Sequence, residues 1–148
     1  MSYLAAAIIR NYKRCVKNFF RGGVMNKKPV QYSIGIGGWE HECFNQCLYS
    51  APMEDSDARL RFYARYFDSV EVRSTFWDDS LGVTDALQWI AAVAENKRFR
   101  FNVKLHKSFV HGKEIKPERA TRLRGLLQEF QKNDKLGAVL VQLPYSFT

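Results

Sequence analysis

From Tyr32 onward the chain alternates between short segments with strand periodicity and longer segments with helix periodicity. Four strands are predicted, over Tyr32–Gly37, Ser69–Arg73, Phe99–Leu105 and Ala138–Leu143. In each of the three stretches between these strands, apolar residues recur three and four positions apart, which is typical of amphipathic helices. Single helices between strands at intervals of roughly 30–40 residues indicate βαβ units and a parallel sheet.

Three helices are predicted from this spacing, and each has a start signal. The signals are Asp55 or Ser56 for the first helix, Thr84 for the second, and Pro117 followed by Glu118 for the third. The apolar faces consist of Leu60, Tyr63, Ala64 and Phe67 in the first, Leu87, Ile90, Ala91 and Ala94 in the second, and Leu123, Leu126, Leu127 and Phe130 in the third.

The strands carry one apolar face and one partly polar face. In the third strand Phe101 and Val103 alternate with Asn102 and Lys104. An open sheet covered by helices on both sides would be apolar on both faces. The alternation therefore favours a barrel, with helices outside and a polar mouth at the carboxyl ends of the strands.

Four motifs occur in order along the chain: GIGGW at Gly35–Trp39, FDSVEVRSTF at Phe67–Phe76, FRFNVKLH at Phe99–His106 and LGAVLVQLP at Leu136–Pro144. Together they resemble the YecE-like family, a domain of unknown function with a TIM-barrel fold. That domain is roughly twice as long as the matching region and close to the ~250 residues of a typical barrel. The resemblance implies an α/β fold that is half a TIM barrel, with four parallel βα units over residues 32–148.

The polar residues expected at the mouth are the candidates for chemistry. Glu71 could act as a general base or metal ligand, and Lys104 as an electrophile or phosphate contact, with His106 at the same rim. Alternatively, Glu71 and Lys104 lie on adjacent strands and neutralise each other as a structural ion pair. His106 then serves as a hydrogen-bonded residue at the strand end.

Gln142, Trp39, Trp77 and His111 are candidate binding residues around the same mouth. The tryptophans could form an aromatic wall for a sugar or base, although core packing explains them equally well. No metal or cofactor is assigned. The histidines and Glu71 make at most a partial metal site, and the spacing of the cysteines near His41 is not that of a zinc site. The glycine-rich Gly35–Gly38 lacks the third glycine of a dinucleotide loop.

The net charge of +8 is concentrated in residues 1–31, a predicted leader that is treated as a separate, weakly attached segment. It holds seven basic residues and no acid: Arg10, Lys13, Arg14, Lys17, Arg21, Lys27 and Lys28. Five of these share one face of a predicted N-terminal amphipathic helix that could contact an anionic membrane surface or act as a transit sequence. Alternatively, translation begins at Met25 and the preceding residues are dispensable.

The rest of the chain is nearly balanced, with sixteen basic and fifteen acidic residues, so no strong nucleic-acid signal remains. Three cysteines do not form a disulfide framework, which favours a reducing, cytoplasmic setting. A complete barrel could perform metal-assisted or acid–base chemistry on a phosphate- or sugar-bearing ligand. The alternative is a non-catalytic remnant or interaction module, a truncated barrel whose open sheet edges favour self-association.

Overall fold

Four short strands form one parallel sheet in the computed structural model, which describes residues 32–49, 53–111 and 116–145. The strands are β1 (Gly35–Gly37), β2 (Ser69–Val72), β3 (Arg100–Lys104) and β4 (Leu136–Leu140), in the spatial order β1-β2-β3-β4. The helices in the described ranges are α1 (Phe44–Cys47), α2 (Ser56–Tyr63), α3 (Val83–Ala92), α4 (Ser108–His111) and α5 (Pro117–Lys132). The predicted succession of four strands in chain order is confirmed.

The strand register determines which side chains share a face of the sheet. Val70 lies beside Phe101, and Val72 beside Val103. All four side chains are fully buried. Because successive residues of a strand point to opposite faces, the alternate residues of β2 and β3 form the second face.

The three longer helices begin where local capping favours them. Asp55 caps α2, its carboxylate accepting hydrogen bonds from the backbone N–H groups of Asp57 and Ala58. Pro117 occupies the first turn of α5, where a missing N–H costs nothing. Helix α3 begins at Val83, one residue before the predicted Thr84. The Asp85 carboxylate accepts a hydrogen bond from the Gly82 N–H at 2.9 Å, which stabilises this earlier start.

A set of aromatic rings joins the sheet to α3 and α5. Phe101 of β3 stacks on Phe130 of α5, with ring centroids 4.5 Å apart and planes 11° apart. Trp89 of α3 lies within 6.3 Å of both rings. These contacts place α3 and α5 against the apolar face of β3. The prediction that the helices pack on the apolar side of the sheet is confirmed for these two elements. The predicted apolar face of α3 is wrong at Leu87, which is 48% exposed, because this helix buries Ala86 and Trp89 instead.

Tyr63 of α2 ties the first two strands together from the helix layer. Its hydroxyl accepts a hydrogen bond from the Ile36 N–H at 2.9 Å and donates one to the Ser69 carbonyl at 3.0 Å. Burial raises the pKa of Tyr63, since the charged phenolate would lose its solvation. The neutral hydroxyl is therefore the form that bridges β1 and β2.

The strand bounds differ from the sequence prediction at both outer strands. Strand β1 begins at Gly35, three residues later than predicted. Strand β4 covers Leu136–Leu140 instead of Ala138–Leu143, because its partner β3 ends at Lys104, the residue in register with Leu140. The predicted leader, residues 1–31, lies outside the described residues, and its amphipathic helix stays a prediction. In the described part of the chain, no helix has the length and apolar character to cross a membrane.

Replacing Phe101 with alanine should lower the free energy of unfolding by about 3–5 kcal/mol, because a buried aromatic leaves a cavity that its neighbours fill only in part. Urea denaturation followed by far-UV circular dichroism measures the loss. The matched control is Leu87→Ala on α3, where the side chain is 48% exposed and the expected loss is about 0.5 kcal/mol. Equal losses in the two variants would contradict the assigned faces.

Candidate functional site

The second face of the sheet carries a row of residues in register across all four strands. Gly37, Glu71, Asn102 and Ala138 are successive neighbours in this row. One pleat further toward the carboxyl ends, Lys104 of β3 lies beside Leu140 of β4. Helices α3 and α5 cover the opposite face. This row and Lys104 therefore line the uncovered face, here named the concave face, where the sequence places the mouth of a barrel.

Glu71 is half-buried in the middle of this row. Among the described residues, no cation lies within 4.0 Å of its carboxylate, and its side chain makes no hydrogen bond. The alternative interpretation, a direct structural ion pair between Glu71 and Lys104, is therefore wrong. A half-buried carboxylate without a partner retains its full capacity to accept hydrogen bonds or a proton.

Lys104 is held by different partners. Its Nζ donates a hydrogen bond to Oε1 of Gln142 at 2.7 Å and lies 4.4 Å from the ring centroid of Phe76. The side chain thus bridges the carboxyl ends of β3 and β4 and leans over the loop that follows β2. These neutral partners orient the ammonium without neutralising its charge. The structure therefore brings two of the predicted site residues, Lys104 and Gln142, into contact.

Asn102 is a polar residue that sequence reasoning did not select. It is 6% exposed, and its Oδ1 has no hydrogen-bond partner among the described residues. Gly137, an extra residue at a bulge between β3 and β4, makes room for this side chain, because a Cβ there would lie 2.2 Å from Oδ1. The sequence did contain a signal for Asn102: it lies between Arg100 and Lys104 among the polar residues that alternate with the apolar residues of β3. A buried acceptor without a partner among the described residues lowers stability, and its burial keeps this oxygen out of direct contact with a ligand in this conformation.

His106 joins the loops that follow β2 and β3. The ring is buried, and its Nδ1 accepts a hydrogen bond from the Ser108 N–H at 3.1 Å, while the histidine also bonds the Trp77 backbone. Burial, together with the positive charge of Arg119, lowers the pKa of His106, so the neutral ring is favoured. This arrangement positions the loops after β2 and β3 relative to one another.

A cleft of about 460 Å³ opens beside the row, at the carboxyl ends of β1 and β2. Its walls include Trp39, Arg73 and Trp77. Trp39 is buried and donates from Nε1 to Oγ of Ser56 at 3.1 Å, while its ring contacts Trp89 edge-on. Trp77 is 67% exposed. Trp39 therefore belongs mainly to the core, whereas Trp77 is available to a ligand.

Two further residues complete the rim of the loop after β2. Lys107 lies with its Nζ 5.0 Å from the ring centroid of Trp77. His111 is exposed at the end of α4, and its ring packs edge-on against Phe76 at 6.3 Å. The Phe76–Trp77 pair is thus surrounded by basic side chains. A planar or sugar-like group that stacked on Trp77 would lie close to positive charge.

The glycine-rich segment at the end of β1 forms a tight turn. Gly38 has a φ of 86°, which only glycine adopts easily, and its N–H donates to the Glu71 carbonyl at 2.9 Å. No helix follows directly, as a dinucleotide loop would require. The turn leads directly into Trp39, which lines the cleft.

The cysteines near His41 do not form a metal site with it. Cys43 and Cys47 are exposed free thiols, and Sγ of Cys47 donates to the Cys43 carbonyl. His41 uses Nε2 to contact the Gly37 carbonyl. Over the described ranges, no three histidine, cysteine or acidic side chains gather closely enough to hold a metal ion.

Comparison with known proteins gives the family of this chain. A family model described as "Protein of unknown function DUF72" matches residues 33–148. The chain belongs to this family. DUF72 is the YecE-like family, so the resemblance seen in the four motifs is confirmed. No curated protein matches the chain.

A solved structure resembles the fold. The crystal structure of a DUF72 family protein from Enterococcus faecalis V583 superposes with a TM-score of 0.59 at 21% sequence identity. The match covers 76% of this chain and 40% of that protein, so this chain spans less than half the length of its solved relative. At this identity the likeness concerns the fold alone, and it agrees with four βα units of a DUF72 domain.

Replacing His106 with asparagine should flatten the dependence of stability on pH. The unfolded histidine takes up a proton near its ordinary pKa of 6.5, whereas the buried ring resists protonation. The free energy of unfolding should therefore fall as the pH drops below 6.5, and the non-titrating variant should lose that part of the decline. The measurement compares the urea midpoints of the wild type and the variant at about pH 7.5 and about pH 5.5.

The control for this experiment is His111→Asn, which replaces an exposed histidine at the same rim. It should keep the wild-type change in midpoint between the two pH values. If His106→Asn also kept that change in full, burial of the His106 ring would have no bearing on stability.

Proposed function

We propose that the concave face of this chain forms part of the mouth of a DUF72 barrel that binds a phosphate- or sugar-bearing ligand, with Glu71 as the acid–base group. The observation that carries the proposal is the unpartnered carboxylate of Glu71 on the concave face. A carboxylate needed only for folding would be expected to have an ion-pair or hydrogen-bond partner. Glu71 has neither among the described residues.

The positive groups of the proposed site are Lys104, at the carboxyl end of β3, and Arg73, directly after β2. Lys104 keeps its charge available because Gln142 and the Phe76 ring are both neutral. Arg73 lines the cleft together with the exposed ring of Trp77. Lysine and arginine recognise phosphate through charge-assisted hydrogen bonds, and an exposed tryptophan suits the apolar face of a sugar.

In this proposal Glu71 exchanges a proton with the ligand while Lys104 holds its anionic part. We build the proposal on acid–base chemistry because the described residues supply Glu71 but no set of three metal ligands.

We also propose a cytoplasmic location, since Cys43 and Cys47 are free thiols, as a reducing compartment favours.

Titration of the purified chain with inorganic phosphate and with glucose 6-phosphate, followed by tryptophan fluorescence, tests the site. Lys104→Gln should weaken binding of both probes about tenfold, because it removes one charge-assisted contact. Glu71→Gln should tighten phosphate binding, since it removes a negative charge from the same face.

The matched control is Lys97→Gln, an exposed lysine near the amino end of β3, which should bind both probes like the wild type. Equal affinities for the Lys104 and Lys97 variants would place the anion elsewhere. No saturable binding of either probe by the wild type would overturn this function for the isolated chain. Tighter binding of glucose 6-phosphate than of phosphate would identify the sugar as part of the ligand.

The second candidate function is a non-catalytic remnant or interaction module that needs a partner to complete the barrel. The observation that favours it is the apolar exposure of β4 and the residues that follow. Val139, Val141 and Leu143 are 40%, 50% and 46% exposed. Loss of phosphate binding in all forms of the chain, combined with stable association, would favour this candidate over the enzyme.

A further inference from the structure

Arg73 is a cation of the concave face whose side chain extends toward β1. It directly follows β2, two residues after Glu71, so the two side chains leave the chain on the same face of the sheet. The arginine then lies across Gly37 of β1, since a Cβ built on Gly37 would be 2.5 Å from Cδ of Arg73. Gly37 is also the residue in register with Glu71. The absence of a side chain at Gly37 therefore leaves the space that the arginine occupies.

The guanidinium group of Arg73 has no polar partner in the described part of the chain. No carboxylate lies within 4.0 Å of it, and no hydrogen bond joins it to another group. Glu40 lines the same cleft but is not paired with it. The arginine is exposed, so its planar fork of N–H groups is free to donate to an oxyanion that enters the cleft.

Lys104 begins beside Arg73 but extends in the other direction. Val72 and Val103 are in register, and Arg73 and Lys104 are the residues that directly follow them. The lysine reaches toward β4, where its Nζ donates to Gln142. Strands β1 and β4 are three strand spacings apart, about 14 Å along the sheet, which is more than one phosphate group can bridge. The two cations are therefore suited to different anionic groups.

We propose that the ligand of this face is a sugar that carries two phosphate groups, one bound at Arg73 and the other at Lys104. The inference rests on the proposed function and names its substrate class. Glu71 of β2 lies between the two cations along the sheet and so faces the uncharged middle of such a ligand. The exposed ring of Trp77 lines the cleft with Arg73 and offers a surface for the sugar. Gly37 is the positioning residue for the first phosphate.

Titration calorimetry of the full 148-residue chain with fructose 1,6-bisphosphate and with fructose 6-phosphate tests the proposal. The two probes share a sugar and differ by one phosphate. The wild type should bind the bisphosphate about tenfold more tightly, because it gains one charge-assisted contact. Pyrophosphate controls for charge alone, since its two phosphates share a bridging oxygen and cannot reach both cations. It should bind about tenfold more weakly than the bisphosphate.

Arg73→Gln should reduce the preference for the bisphosphate to near parity, because it removes the second anionic subsite. Gly37→Ala should do the same with the arginine still present, since the new Cβ displaces its side chain. Gly37 does not have a positive φ, so alanine fits the backbone at this position. Two control variants should keep the preference. They are Lys107→Gln, which removes the cation beside Trp77, and Arg65→Gln, which removes an exposed arginine just after α2.

Equal affinities of the wild type for the two sugar phosphates would overturn the inference. If Lys104→Gln still weakened the binding of both, the proposed function would be unaffected. Loss of the preference in Lys107→Gln instead of Arg73→Gln would also overturn the inference, because the second phosphate would then lie at a different cation. An equal fall in Arg65→Gln would reduce the preference to nonspecific charge. Absence of binding of either sugar phosphate would overturn the proposed function and the inference together.

Discussion

The stacking of Phe101 on Phe130, with Trp89 beside both rings, is the interaction on which the rest of the arrangement depends. It fixes β3 with one face under α3 and α5. An aromatic pair of this kind contributes about 0.5–1.5 kcal/mol beyond the burial of its surface. Because side chains alternate along a strand, burying Phe101 on the helix side turns Asn102 and Lys104 to the concave side. The core contact therefore also decides where the polar groups lie.

The polar groups on that concave side are arranged by the offset between strands. Lys104 meets Gln142 because β3 and β4 are in register at Lys104 and Leu140, which places Gln142 just beyond the end of the pair. Glu71 lies in the row below, beside Asn102. Lys104 is oriented by neutral partners, and the Glu71 carboxylate has no partner among the described residues, so this face carries both signs of charge without a direct ion pair between them. Because Glu71 and Lys104 do not neutralise each other, both remain available to a ligand, and the concave face is the candidate site.

Two of the predicted site residues owe their positions to the core or to the loops. Trp39 packs on Trp89 and bonds Ser56, so the first turn after β1 is anchored to the helix layer. His106 bonds the Ser108 N–H in its own loop and the Trp77 backbone in the loop after β2, and so connects these two loops. Residues of this kind shape a mouth without contacting a ligand. Trp77, on the same rim, is the exposed aromatic of the cleft.

The sequence by itself determined the succession of strands and helices, the apolar and polar faces of β3, and the family. These are local properties, because the periods of 2 and 3.6 are set by backbone geometry and are visible in a short window. Only the tertiary structure decided that Lys104 pairs with Gln142 instead of Glu71, and that the buried Oδ1 of Asn102 has no partner among the described residues. Those outcomes depend on the bulge at Gly137 and on the register between strands more than thirty residues apart. Packing sets both, and no local pattern in the chain encodes them.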